Sequence, residues 1–111
     1  MEDDKKFVHY LIVDYRSAKT GVPYSPKVAS NIKSRCKRIE IILETELTIA
    51  LVSNTNKFMQ LADQIKSKTG HFCSTTHPYG YLQYIHALRA YRLFASQVAR
   101  GKTSNSKANN D

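Results

Sequence analysis

The sequence contains few of the residues that support cross-linking, membrane insertion or catalysis. Its two cysteines cannot form a disulfide framework, and its four glycines leave little scope for a glycine-rich loop that binds phosphate. No apolar run approaches the length needed to cross a bilayer, and residues 1–6 are too charged for a signal peptide. No group of residues matches the pattern that acid–base or nucleophilic catalysis requires. We therefore expect a soluble, cytoplasmic protein that is not an enzyme and needs no cofactor.

Acidic residues are also scarce, and their distribution is uneven. The chain has 17 Lys and Arg against nine Asp and Glu, which gives a net charge of +8. After Asp63 no acidic residue occurs until Asp111. A second acid-free segment carries seven basic residues: Arg16, Lys19, Lys27, Lys33, Arg35, Lys37 and Arg38. This imbalance favours an anionic partner through long-range attraction.

Most of this second segment is predicted to form one amphipathic helix over residues 25–44. Ser25 can cap its free N–H groups, and Pro26 suits the first helical position. One narrow stripe of the helix is apolar and is expected to face the core: Val28, Ile32, Cys36, Ile39 and Leu43. The opposite arc carries Lys27, Ser30, Asn31, Ser34, Lys37 and Arg38. Because Cys36 lies on the apolar stripe, it is predicted to be a buried, reduced thiol.

This acid-free polar arc is typical of a nucleic-acid-binding surface, because a merely solvated face normally mixes charges of both signs. We predict that Lys27, Lys37 and Arg38 neutralise phosphates of duplex DNA. Asn31 and Ser34 would lie close enough to contact base edges, and Lys19 would extend the surface from the preceding loop. The alternative is a protein-interaction module, such as a phage or plasmid accessory factor, that binds an acidic partner through the same face.

The remaining segments predict three more long helices and no internal repeat. Apolar residues recur at helical spacing from Lys5 to about Arg16, with Asp3 or Asp4 as the cap. A third helix begins at Asn54 or Thr55 and ends at Gly70. The last helix extends from Pro78 to about Arg100. Residues 17–24 and 70–78 are expected to be loops, and residues 45–53 a short helical turn or an extended link.

The predicted fold is therefore all-α, a compact bundle of four principal helices. Residues 1–100 would form one helical domain of DNA-binding type, since a chain of 111 residues has no room for a second, catalytic domain. Residues 101–111 contain no apolar residue larger than alanine and are expected to form a disordered polar tail.

One short segment groups residue types that can bind metal: His71, Cys73 and His77, to which Cys36 could add a fourth ligand. Their spacing matches no common zinc module, and structural zinc requires four converging ligands. We therefore expect a polar loop with incidental histidines and no metal site. Cys73 also lacks a positioned acid and an oxyanion site, so it is not predicted to act as a nucleophile.

Two further side chains are candidates for contact with nucleic acid. Tyr24 lies beside the cap of the basic helix, whereas Tyr81, Tyr84 and Tyr91 share the apolar arc of the last helix and are expected in the core. His86 projects away from that arc, so it can contact a phosphate or simply face water.

Two motifs resemble the core-binding domain of tyrosine recombinases and phage integrases. The opening FVHYL of residues 7–11, a short basic loop and YSPKVASNI of residues 24–32 are similar to F-x-x-Y-L … S-x-x-T-x-x-x-Y in that family. YIHALRAY of residues 84–91, with Phe94, is similar to the family's closing helix, N-x-x-x-x-A-L-R-x-F-x-x-F. Residues 71–79 and the Y-x-x-A-L-x-x-Y that follows look closer to a variant that precedes restriction-endonuclease-like domains in bacteria. The resemblance covers about residues 5–96.

This resemblance implies a helical bundle that clamps one side of duplex DNA. Its contacts would come from seven residues: Ser25, Lys27, Asn31, Ser34, Arg38, Arg89 and Arg92. Val28 stands where the family usually has Thr, and Ile32 stands close to its Tyr. Neither the recombinase catalytic set nor a nuclease core follows, so we expect either a free-standing binding module or one taken from a longer enzyme. Such a module would be bacterial or phage-encoded, monomeric or weakly oligomeric, and would act in recombination or in defence.

Overall fold

Six helices follow one another along residues 1–16 and 20–100, the part of the chain that the computed structural model describes, without the side chain of Thr69. They are α1 (Asp4–Val13), α2 (Pro26–Leu43), α3 (Ile49–Ser53), α4 (Thr55–Ser67), α5 (Thr69–Phe72) and α6 (Tyr81–Ala99). This part of the chain contains no β-strand, so the predicted all-α fold is confirmed, with four long helices and two short ones. The predicted tail, 101–111, and the predicted site residue Lys19 lie outside the described residues.

The core lies where α1, α2 and α6 pack against one another, with α3 and α4 covering another side of α6. Phe7 of α1 is fully buried there, and its ring contacts Tyr91 edge-on at 5.2 Å and Phe94 at 5.6 Å between centroids. The hydroxyl of Tyr91 donates to the carbonyl oxygen of Glu2 at 2.8 Å, which satisfies its one polar atom. In the described residues no helix has the length and apolar character that crossing a membrane requires.

Two of the three predicted helix caps form the expected hydrogen bond, and one does not. The Ser25 hydroxyl accepts from the Val28 N–H at 3.3 Å, and the Asn54 side chain accepts from the Lys57 N–H at 3.0 Å. Asp3 occupies the cap position of α1 but has a left-handed backbone, with φ of 55°, and its side chain makes no cap bond. The expected carboxylate cap of α1 is therefore wrong.

The buried stripe of α2 is predicted correctly at its centre. Ile32, Cys36 and Ile39 are buried, and Cys36 is a free thiol whose Sγ donates to the Ala87 carbonyl at 3.5 Å. Val28 is wrong, because it is exposed while its small neighbour Ala29 is fully buried. The predicted apolar stripe has the correct helical period, but the buried face is rotated about the helix axis, away from Val28 and toward Ala29.

Several helix ends differ from the predicted positions by about three residues. α1 stops at Val13 rather than near Arg16, and α4 stops at Ser67 rather than at Gly70. α6 begins at Tyr81 rather than at Pro78, because residues 74–80 form hydrogen-bonded turns instead of the first helical turn. Residues 45–53 contain both of the predicted alternatives, an extended link followed by the short helix α3.

Gly80, at the end of these turns, lies close to the backbone of Phe72. A Cβ atom there would lie 2.6 Å from the Phe72 carbonyl oxygen, whereas a Cβ atom on Gly70 would meet nothing within 4 Å. We expect Gly80→Ala to lower the free energy of unfolding by about 1–3 kcal/mol, because backbone atoms must shift to admit the methyl group. Gly70→Ala, within α5, should leave it unchanged or raise it by up to about 1 kcal/mol. Urea unfolding of both variants measures this, and equal stabilities would show that the Gly80 contact relaxes freely.

Candidate nucleic-acid interface

The outward face of α2 consists of five exposed side chains: Lys27, Ser30, Asn31, Ser34 and Arg38. They recur every three or four residues along the side of the helix opposite its buried stripe, as helical periodicity requires. No acidic residue lies in α2 before Glu40. The structure therefore places four of the predicted site residues, Lys27, Asn31, Ser34 and Arg38, together on one surface.

Ser25 and Lys37 lie at the borders of this outward face, and each already has a partner in the protein. The Ser25 hydroxyl accepts the cap bond from Val28, although its proton is still free to be donated. Lys37 Nζ lies 3.2 Å from Asp4 Oδ2, and this ammonium lowers the pKa of the Asp4 carboxyl. Exposed pairs of this kind contribute little stability, so Lys37 can exchange Asp4 for another anion.

Arg38 lies where the outward face meets the segment between α5 and α6. One of its terminal guanidinium nitrogens donates to the His71 carbonyl oxygen at 3.4 Å. Beside this contact is an open cleft of about 370 Å³. Its lining includes Arg38, His71, Cys73, Ser74, His77 and Gln83. The cleft therefore lies between the basic helix α2 and the histidine-containing segment of residues 71–77.

The described residues contain no group of three or more His, Cys, Asp or Glu side chains arranged to hold a metal ion. Cys36 and Cys73 are also in different environments. Burial raises the pKa of the Cys36 thiol to about 12, which removes it as a ligand or nucleophile at neutral pH. Cys73 is half-buried at the edge of the cleft.

The two arginines of α6 are one helical turn apart but differ in exposure. Arg89 is exposed and points outward. Arg92 is half-buried, packs over the Phe58 ring at 4.6 Å and donates to the Thr55 hydroxyl at 2.9 Å. These contacts hold α6 against α4, so Arg92 is committed to a packing contact that the predicted DNA contact would have to break.

A feature that the sequence analysis missed lies where α2 and α6 meet. The Tyr24 hydroxyl and His86 Nε2 are 2.9 Å apart, although 62 residues separate them in the chain. Arg35 lies close enough to both to affect their pKa values, and Arg89 acts on His86 as well. No local pattern in the sequence indicates that Tyr24 and His86 meet. Arg35 is one of the basic residues of the acid-free segment but is not part of the predicted polar arc.

Comparisons with known proteins give no further information about this surface. No family model matches the chain, and neither the curated proteins nor the solved structures include a significant match. The resemblance to recombinase core-binding domains therefore stays a prediction. Any assignment of function must rest on the residues described above.

Proposed function

We propose that the protein is a non-catalytic module that binds duplex DNA through the outward face of α2. The observation that carries this proposal is the acid-free group of exposed side chains on that face. Lys27 and Arg38 have no carboxylate partner among the described residues, so both charges are available to phosphates. Asn31 and Ser34 lie between them and supply donors and acceptors for base edges.

The shape of α2 supports a duplex as the partner. Its 18 residues make a rod of about 27 Å, and the major groove of B-DNA is about 12 Å wide and admits one helix. The basic side chains are spread along the exposed length of the helix, and of Lys27 and Arg38 only Arg38 also borders the cleft. Contacts to phosphates would position α2, and contacts from Asn31 would add sequence preference.

The type of module that we propose is the core-binding domain of integrases or its restriction-associated variant. The all-helical bundle and the Ser25 cap at the start of the basic helix agree with that type. Within it, Arg89 would contact DNA from α6, and a catalytic domain would be attached or would act as a separate protein.

The test is fluorescence anisotropy of the full chain with a labelled duplex between 50 and 200 mM salt. Four to six phosphate contacts predict a slope of about −4 to −5 for log affinity against log salt, because each contact releases about 0.9 counterion. Affinity should therefore fall by about 10²- to 10³-fold over this range.

An acidic-protein partner would also bind in a salt-dependent way, so competition must separate the two. Unlabelled nonspecific duplex should displace the probe completely, and an excess of polyglutamate at equal charge should displace it only weakly. No binding at 50 mM salt, or a flat salt dependence, would rule out DNA binding.

A further inference from the structure

Tyr24 and His86 form an ordered pair on the same side of the molecule as Arg35 and Arg89. Tyr24 is held by two contacts: its ring stacks on Tyr15 at 5.0 Å with an interplanar angle of 14°, and its N–H donates to the Leu11 carbonyl at 3.1 Å. The His86 ring meets Tyr24 edge-on, with 6.4 Å between centroids. The hydroxyl and the imidazole are therefore fixed relative to each other before any ligand binds.

Two positive charges act on His86, and helix packing places both near it. Arg89 lies one turn after His86 on α6, and Arg35 of α2 adjoins Cys36, whose Sγ lies 3.5 Å from the carbonyl oxygen of Ala87. Arg35 is half-buried, Arg89 is exposed, and neither is paired with a carboxylate in the described residues. Partial burial lowers the pKa of His86, and the charges of Arg89 and Arg35 lower it further. When His86 is protonated, it and the two guanidinium groups repel one another, and a bound anion would reduce that repulsion.

The Tyr24–His86 hydrogen bond also changes direction with protonation. Neutral His86 can accept the Tyr24 hydroxyl proton at Nε2, and this leaves the hydroxyl without a proton to donate elsewhere. Protonated His86 donates from Nε2 to the Tyr24 oxygen, so the hydroxyl proton becomes free for an external acceptor. The protonated state therefore adds the Tyr24 hydroxyl proton to the donors already present, which are the Nδ1–H of His86 and the N–H groups of the two guanidinium groups.

We propose that Tyr24, Arg35, His86 and Arg89 form a binding site for one phosphate group, which protonation of His86 strengthens. Arginine guanidinium groups suit phosphate oxygens because their planar donors bind two oxygens at once. The proposal rests on the proposed function in one respect, namely that the phosphate belongs to the backbone of bound DNA. A free phosphate ion or monoester offers the same acceptor oxygens but, unlike the DNA backbone, also titrates with a pKa near 6, and the experiment distinguishes these sources.

The sign of the pH effect follows from the charges. A bound phosphate favours imidazolium, so it raises the pKa of His86, and affinity increases as the pH falls through that range. Tyr24 does not titrate there, because burial raises its pKa to about 12, and the arginines stay charged. A rise of one pKa unit on binding corresponds to a tenfold tighter Kd below both pKa values than above both.

The experiment follows the imidazole resonances of His86 by NMR between pH 5 and 8, in the full chain alone, with a duplex and with inorganic phosphate. We expect the duplex to raise the His86 pKa by about one unit and the Arg35→Gln/Arg89→Gln variant to lose most of this rise. Arg89→Gln alone, at an exposed position, serves if the double variant folds poorly. For DNA affinity, His86→Gln should abolish most of the pH dependence, whereas the matched variant His9→Gln, at an exposed position of α1, should keep it.

The outcomes distinguish this site from the proposed function. A rise with phosphate but not with DNA would support the phosphate site and assign it to a free ion or monoester. Tight DNA binding with an unmoved His86 pKa in both arms would overturn the phosphate site and leave the outward face of α2 as the interface. If DNA does not bind and phosphate does not move the pKa, both proposals are wrong.

Discussion

Replacing Lys27 and Arg38 together with glutamate is expected to weaken duplex binding at 100 mM salt by about 100-fold or more. Between 1 M and 100 mM salt, each phosphate contact adds about 0.9 log units of affinity, so the loss of two contacts removes most of two log units. The two new carboxylates also repel the DNA phosphates. Both side chains are exposed, and a glutamate at position 27 lies in the first turn of α2, where the helix dipole favours it. The fold should therefore be unaffected, and anisotropy titrations measure the loss directly.

The matched control reverses Lys57 and Lys66 to glutamate. These residues are exposed on α4, and the change in net charge is the same. Only long-range attraction should weaken, so we expect less than about a tenfold loss at 100 mM salt, where screening acts over about 10 Å. Equal losses in the two double variants would show that binding follows total charge and does not depend on α2.

Leu88→Ala is expected to lower the free energy of unfolding by about 2–5 kcal/mol, because a fully buried leucine leaves a cavity that its neighbours fill only in part. α6 also supplies the control. Leu82 has the same side chain on the same helix but is 51% exposed, so Leu82→Ala should change stability by no more than about 0.5 kcal/mol. Urea unfolding followed by circular dichroism compares the two, and similar losses would mean that the buried face of α6 is assigned wrongly.

The centres of the helices and the capped starts of α2 and α4 could be predicted from the sequence, whereas the ends of α1 and α4 and the start of α6 could not. Ile32, Cys36 and Ile39 repeat with a helical period, and burial of that stripe outweighs any local preference. The start of α6 depends instead on the hydrogen-bonded turns within residues 74–80 and on the close approach of Gly80 to the Phe72 carbonyl oxygen. Asp3 is a favourable cap residue, yet its backbone is left-handed and its side chain makes no cap bond.

The candidate site was predictable only where it lies on a single helix. Lys27, Asn31, Ser34 and Arg38 follow from the period of α2 alone. Arg35, Tyr24 and His86 come together through the packing of α6 on α2, and so no spacing in the sequence indicates their arrangement. The contact of Arg92 with the Phe58 ring cannot be predicted from the sequence for the same reason, because α4 and α6 are neighbours only in the folded chain.

The stacking of Tyr15 on Tyr24 has a consequence for how this chain tolerates changes in length. The two rings hold together the residues on either side of the connection 16–23. The position of Tyr24 at the start of α2 is therefore expected to depend little on the length of that connection. Doubling such a connection costs only about 0.6 kcal/mol of closure entropy. Residues 73–80 differ, because Gly80 lies against the Phe72 carbonyl and an inserted residue would displace that contact. Insertions and deletions among related sequences should therefore collect before α2 and be rare before α6.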